Sequence, residues 1–261
     1  MIKEIRKWRP SYKCLYVIPE INGAYQEIFH IFDKIIPLRK IKNQEDTLVM
    51  LGNYITNDEK SHLIIDKLID IKNNNKNSFF LLGKHELNLL KSLNGDKDAY
   101  IDFLNSGGDK TLQGYFTLKN VKINPFSLNP IRLNDLIPKN HIEFYQSLLY
   151  YKIIDEYCFF HGGFNYLKSI EDTNLDTFIY DTATSQYVKE YSLHTKMSPI
   201  DSDYVFVSSY NHKSKEPYIC QQYIMLGGNA PKYLYILDLL SMSCSAIKSG
   251  KKNMYKYNFK M

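Results

Sequence analysis

Residues 79–90 read Phe79-Phe80-Leu81-Leu82-Gly83-Lys84-His85-Glu86-Leu87-Asn88-Leu89-Leu90. The apolar run at 79–82 fits a strand buried on both faces, Gly83 fits a sharp turn, and Leu89, Leu90 and Leu93 then share one side of a helix. Strand, glycine turn and amphipathic helix together form the repeating unit of an α/β sheet covered on its faces. Toward the N-terminus the unit occurs twice more. An apolar strand at 47–51 leads into a polar loop at 52–60, and Ile64, Ile65, Leu68 and Ile69 then mark a buried helix face. A strand at 14–18 leads into a turn at 19–23, and Ile28, Phe29, Phe32, Ile35 and Ile36 line the helix that follows. Beyond about residue 157 the pattern turns to strands, at 157–160, 204–208, 223–226 and 233–239.

The chain has 261 residues, 44% hydrophobic and 14% aromatic, which excludes a disordered chain and allows a full core. Its net charge of +5 is unevenly placed. Residues 1–13 carry five basic residues against Glu4, a net of +4, and residues 248–261 carry five lysines and no acid. The body between them therefore sums to −4. This divides the chain into a basic arm (1–13), one domain (14–247) and a flexible basic, aromatic tail (248–261). The cationic ends make nucleic acid one candidate partner. No apolar run approaches the roughly 20 residues of a membrane-spanning helix, so no membrane partner is expected. Cys14, Cys158, Cys220 and Cys244 lack C-x-x-C spacing and read as thiols of a reducing, cytoplasmic compartment.

In open α/β sheets, function collects on the loops at the carboxyl ends of the strands. Those loops read Pro19-Glu20-Ile21-Asn22-Gly23, Gly52-Asn53-Tyr54-Ile55-Thr56-Asn57-Asp58, Gly83-Lys84-His85-Glu86 and His161-Gly162-Gly163. In this order they resemble the signature of the calcineurin-like metallophosphoesterases, in the bacterial and phage branch of the serine/threonine protein phosphatases. That family reads G-D-x-H-G, G-D-x-x-D-R-G, G-N-H-E and H-A/G-G after the corresponding strands. Asn105-Ser106-Gly107-Gly108 with Thr111, Leu112 and Tyr115 resembles a further family segment, and Ile137-Pro138 with His141 continues the register. The resemblance spans about residues 14–240. It implies an α/β fold of the metallophosphoesterase type, a four-layer α/β/β/α sandwich with mixed sheets.

The same resemblance implies an altered site. The family holds two divalent metals with Asp, His, a bridging Asp, Asn and two further His. At those positions this chain has Glu20, Asn22, Asn53, Lys84, His161 and Ser209. The family's phosphate-gripping arginines fall at Asn57 and Tyr180, while its general-acid histidine and the acid beside it are kept as His85 and Glu86. An ammonium about 4 Å from a divalent cation would be repelled by roughly 8 kcal/mol at an effective dielectric of 20. Lys84 is therefore expected to fill a metal pocket and pair with Glu20. Hard cations need anionic oxygen, and of the six positions Glu20 alone supplies it. The expectation is a pseudophosphatase with no cofactor, His85 a vestigial acid, acting through a protein partner or a larger assembly. Two alternatives stand beside it: a phosphoesterase with a reduced Mn, Fe or Zn site at Glu20 and His161, and a nucleic-acid-binding subunit. His30, His62, His141 and His194 show no partner pattern and read as solvated or core-edge residues.

Overall fold

The structure, a computed structural model, describes residues 14–35, 46–195, 202–210, 216–220, 222–227, 230, 232–251 and 254–257. The arm expected at 1–13 lies outside them. In chain order the first strands are β1 (Cys14–Ile18), β2 (Asp46–Met50), β3 (Ser78–Phe80), β4 (Tyr151–Ile154), β5 (Tyr157–Phe160) and β6 (Val205–Ser208). There follow β7 (Tyr218–Cys220), β8 (Tyr223–Met225), β9 (Tyr233–Asp238), β10 (Ser243–Lys248) and β11 (Met254–Tyr257).

Among the described residues these strands form two mixed sheets, one in the order β11-β10-β9-β1-β2-β3 and one in the order β4-β5-β6-β8-β7. β1, β2 and β3 run parallel, with Val17 opposite Val49 and Val49 opposite Phe79. Antiparallel strands complete the first sheet, and the second has β5, β6 and β8 parallel at its centre. Strand alternation divides the core. Leu15, Val17, Val49 and Leu51 of the first sheet pack against Phe159, Val207 and Ile224 of the second. Ile18, Leu48 and Met50 point the other way, onto the helices Ser61–Asn74 and Lys84–Leu93. Across the second sheet, Phe160, Phe206 and Tyr223 pack on Phe164, Phe178 and Val188, the last from the helix Ala183–Thr195. The expected four-layer α/β/β/α sandwich results.

Four strands fall outside the apolar runs read from the sequence. β4 and β7 are short and only partly buried, and β10 alternates small polar with apolar residues, Ser243-Cys244-Ser245-Ala246-Ile247. β11 lies within the segment expected to be a flexible tail, and instead pairs antiparallel with β10 along Cys244 to Ile247. The helix expected to carry Ile28, Phe29, Phe32, Ile35 and Ile36 is regular from Tyr25 to His30 and widens into a π-type turn over Ile31–Ile35, Ile36 lying outside the described residues. His141 is not solvated. It is 2% exposed, bonded through Nδ1 to the Tyr115 hydroxyl at 2.9 Å and through Nε2 to Asp66 at 2.9 Å. A polar residue on the inner face of the short helix Lys139–Gln146 therefore needed two partners from other helices, which local sequence does not name.

Candidate functional site

The loops after β1, β2, β3, β5 and β6 meet at one end of the two sheets, and Glu86 organises their floor. Its side chain is fully buried, with Oε1 accepting from Tyr54 N (2.7 Å) and Ile55 N (3.2 Å). Oε2 accepts from Asn53 N (2.9 Å) and Gly83 N (3.2 Å), so one carboxylate ties the loop after β2 to the N-terminus of the helix Lys84–Leu93. Burial pushes its pKa up to about 7, against the opposing pull of backbone N–H donors that favour the anion. This acid is a backbone clamp.

Asn53 sits on that floor with φ +53°, its side chain engaged at both ends. Its Oδ1 accepts from His85 N at 3.1 Å, and its Nδ2 donates to Glu20 Oε2 at 3.0 Å. The loop crosses so close to Gly83 that a Cβ there would lie 2.4 Å from Asn53 Oδ1, which explains the glycine. The backbone of Asn53 also holds the first loop, its carbonyl accepting from Ile21 N (3.1 Å) and Asn22 N (2.8 Å). Glu20 N donates to Ser209 Oγ at 2.9 Å, linking the two sheets. Ser209 N in turn donates to the His161 carbonyl at 3.1 Å. His161 Nδ1 lies 2.6 Å from the Leu51 carbonyl, which can only accept, so Nδ1 carries the proton and Nε2 the lone pair.

Burial lowers the pKa of His161, with the Glu20 carboxylate pulling it back in part. Burial, with smaller effects from His161 and Lys84, lowers that of His85 to about 3. Both rings are therefore neutral at physiological pH. His85 Nδ1 and Asn22 Oδ1 are buried atoms without a hydrogen-bond partner.

The pairing expected between Lys84 and Glu20 is not formed. Lys84 opens its helix with an exposed side chain, and Glu20 takes the Asn53 amide instead. A flexible ammonium keeps its hydration by extending outward, whereas the short Asn53 side chain is already fixed at the site by its backbone. Asn57 and Tyr180 lie at the rim. Asn57 N donates to the Gly107 carbonyl at 2.9 Å, while Tyr180 donates its hydroxyl to Asn88 Oδ1 at 3.0 Å and packs its ring under Lys91. Asn88, one helical turn past His85, escaped the sequence reading; it is 3% exposed with its Nδ2 unpartnered. An Asn set among Leu87, Leu89 and Leu90 was the signal for it. Beside Asn22, a cleft of about 270 Å³ is lined also by Tyr25, Asn57, Asp58 and Lys60.

Solved structures share this fold. One is described as a putative diadenosine tetraphosphatase, with a TM-score of 0.61 at 12% identity, over 90% of this chain and 93% of that one. A cold-active protein tyrosine phosphatase of a psychrophilic Shewanella species gives a TM-score of 0.56 at 12% identity, over 96% and 83%. A protein serine/threonine phosphatase of Saccharomyces cerevisiae gives 0.52 at 12% identity, over 97% and 81%. The chain has the calcineurin-like metallophosphoesterase fold. No family model and no curated protein sequence matches it.

Within the metallophosphoesterase fold, the metal-bearing position between the sheets would be lined here by Glu20, Asn22, Asn53, His161 and Ser209. That donor set does not fit two divalent cations. It offers one carboxylate, and the residue where a bridging carboxylate is needed directs an amide N–H at that carboxylate. Among the described residues, no three His, Cys, Asp or Glu side chains are grouped to hold an ion. None of their helices is long and apolar enough to cross a membrane.

Proposed function

We propose that this protein is a pseudophosphatase: a metallophosphatase fold that works by binding a protein partner, as scaffold, decoy or assembly subunit, instead of by two-metal hydrolysis. The hydrogen bond from Asn53 Nδ2 to Glu20 Oε2 carries the reading. A bridging carboxylate offers lone pairs to two cations. The Asn53 amide offers a proton, and uses it to satisfy Glu20. His85 and His161, both held neutral, add no positive charge for a phosphate, and neither rim position supplies a bidentate donor. The loops that would surround a substrate are thus tied to one another. Four unpaired thiols fit a reducing compartment, the cytoplasm.

One observation favours a second reading, a phosphoesterase with a reduced site. The tautomer imposed on His161 by Leu51 leaves Nε2 as a lone-pair donor, as a metal ligand requires, beside Glu20. Elemental analysis of the purified protein and p-nitrophenyl phosphate turnover with Mn²⁺ separate the two. The pseudophosphatase reading expects substoichiometric metal and no turnover above that of His161→Ala. Stoichiometric metal, with turnover that His161→Ala abolishes, would overturn it. The double variant Asn53→Asp with Lys84→Asn restores two family residues. It is expected to gain a Mn²⁺-dependent rise in melting temperature that the parent chain lacks.

A further inference from the structure

Residues 239–261 contain five lysines and no acid. The fold makes a surface of part of this run. Ala246 of β10 stands opposite Tyr235 of β9 and Tyr255 of β11, and Lys248 stands opposite Tyr233 in the next row. All lie on the face that β9 and β10 turn toward the second sheet, where Tyr235, Cys244 and Ala246 are buried.

Among the described residues the second sheet stops short of β11. Lys152 of β4 lies over the Phe79 ring of β3 at 4.3 Å, and at the other end Ile219 of β7 still joins the inter-sheet cluster. Five strands laid along six leave β11 overhanging, and Tyr255, on a face its neighbours bury, is 49% exposed. Around it Lys232, Lys248, Lys251 and Lys256 are exposed, all within the reach of a few strand spacings of about 4.8 Å. Lys232 Nζ lies 5.9 Å from the ring centre of Tyr233. Two nearby carboxylates are already engaged. Glu27 is buried and accepts from Gly250 N, and Asp238 is on the opposite sheet face, bonded to Ser241 Oγ.

An exposed ring among ammonium groups that pair with no carboxylate among the described residues suits a ligand with flat π-faces on a polyanionic backbone. A duplex hides its base faces; a single strand presents them. We infer that the β9–β11 face is a binding surface for single-stranded nucleic acid. Tyr255 stacks on a base, and Lys248, Lys251 and Lys256 meet phosphates along the sheet edge. Since Lys256 leaves β11 on the side opposite Tyr255, a strand running along the edge meets both. This surface is independent of the Glu20–Asn53 site.

The test is fluorescence anisotropy of labelled oligothymidylate and oligouridylate, and of the matching duplexes, with the full chain at rising KCl. The single strands are expected to bind more tightly than the duplexes. Tyr255→Ala is expected to weaken them by about 5- to 150-fold, the range for losing one stacked base, while Tyr255→Phe retains affinity. Replacing Lys248 and Lys256 by Gln is expected to flatten the slope of log K against log salt by about 1.4, from two lost phosphate contacts. Circular dichroism of each variant guards against misfolding, and Tyr255→Phe keeps the comparison meaningful should Tyr255→Ala unfold. Equal affinity of parent chain and a folded Tyr255→Ala, or preference for duplex, would overturn the inference. So would a dimer in sedimentation that Tyr255→Ala dissolves while no oligonucleotide binds, which would make the face a self-association surface.

Discussion

Glu86 carries more of the site's geometry than any other side chain, because four backbone N–H groups from two loops converge on its two oxygens. Glu86→Gln keeps the shape but replaces one acceptor by an NH₂ group, and in either amide orientation two donors then face a donor. With each hydrogen bond to a charged group worth about 1.5–3 kcal/mol, the variant is expected to lose about 3 kcal/mol or more. Urea unfolding at about pH 8.5, where the Glu86 carboxyl is ionised, reads this; a loss under about 1 kcal/mol would mean that the clamp is not a clamp. The same residue scale shows what local sequence conveys and what it withholds. Residue types at the positions the resemblance aligns were legible, so Asn53 and Lys84 stood out there as an amide in place of an acid and a cation in place of an amide. Their partners were not. Both residues had the chemistry to satisfy Glu20, and the outcome turned on Asn53 being held in place by its own backbone while Lys84 had solvent within reach. Asn88 and Leu51 bond Tyr180 and His161 across long sequence separations, which no local pattern announces.

At the scale of elements, the helix Asp109–Leu118 rests directly on the turn that ends the loop after β2. A Cβ at Gly114 would come within 1.9 Å of the Glu59 carbonyl oxygen and 3.1 Å of His62 Nδ1. On an isolated helix, Gly→Ala stabilises by about 1 kcal/mol. Here the added methyl meets backbone, which cannot rotate away, so Gly114→Ala is expected to destabilise by about 2 kcal/mol. A thermal melt of the variant with unchanged or raised midpoint would show that the helix and the turn are free to separate. The elements themselves were legible in proportion to their burial on both faces. β2 and β5, buried throughout, coincide with apolar runs in the sequence. β10 and β11 bury one face or overhang the second sheet, so their alternation of small, basic and aromatic residues resembles an unstructured tail until pairing partners are known.

The whole molecule has a pH dependence set by buried imidazoles. Burial lowers the pKa of His85 to about 3 and lowers those of His161 and His141 below the ordinary 6.5. As pH falls through 6.5 the unfolded chain binds protons at these three sites that the folded chain refuses. Stability is therefore fully present above about pH 6.5 and is lost on acidification, by up to about 1.4 kcal/mol per pH unit for each proton. Glu86 works in the opposite sense. Its pKa, raised from 4.5 to about 7, lets the folded chain hold a proton that the unfolded chain releases, so its contribution is present below pH 4.5 and is lost as pH rises to about 7. Three imidazoles against one carboxyl decide the balance, and stability is expected to fall between pH 7 and pH 5. Urea midpoints across that range measure it. His85→Gln removes one of the refused protons and is expected to flatten the fall, whereas Glu86→Gln removes the opposing group and is expected to steepen it. A stability that rises toward pH 5 in the parent chain would mean that the two site histidines are charged in the folded state. Two cations beside Glu20 would then make this end of the sheets a place for an anion, and the reading of a neutral site would have to be abandoned.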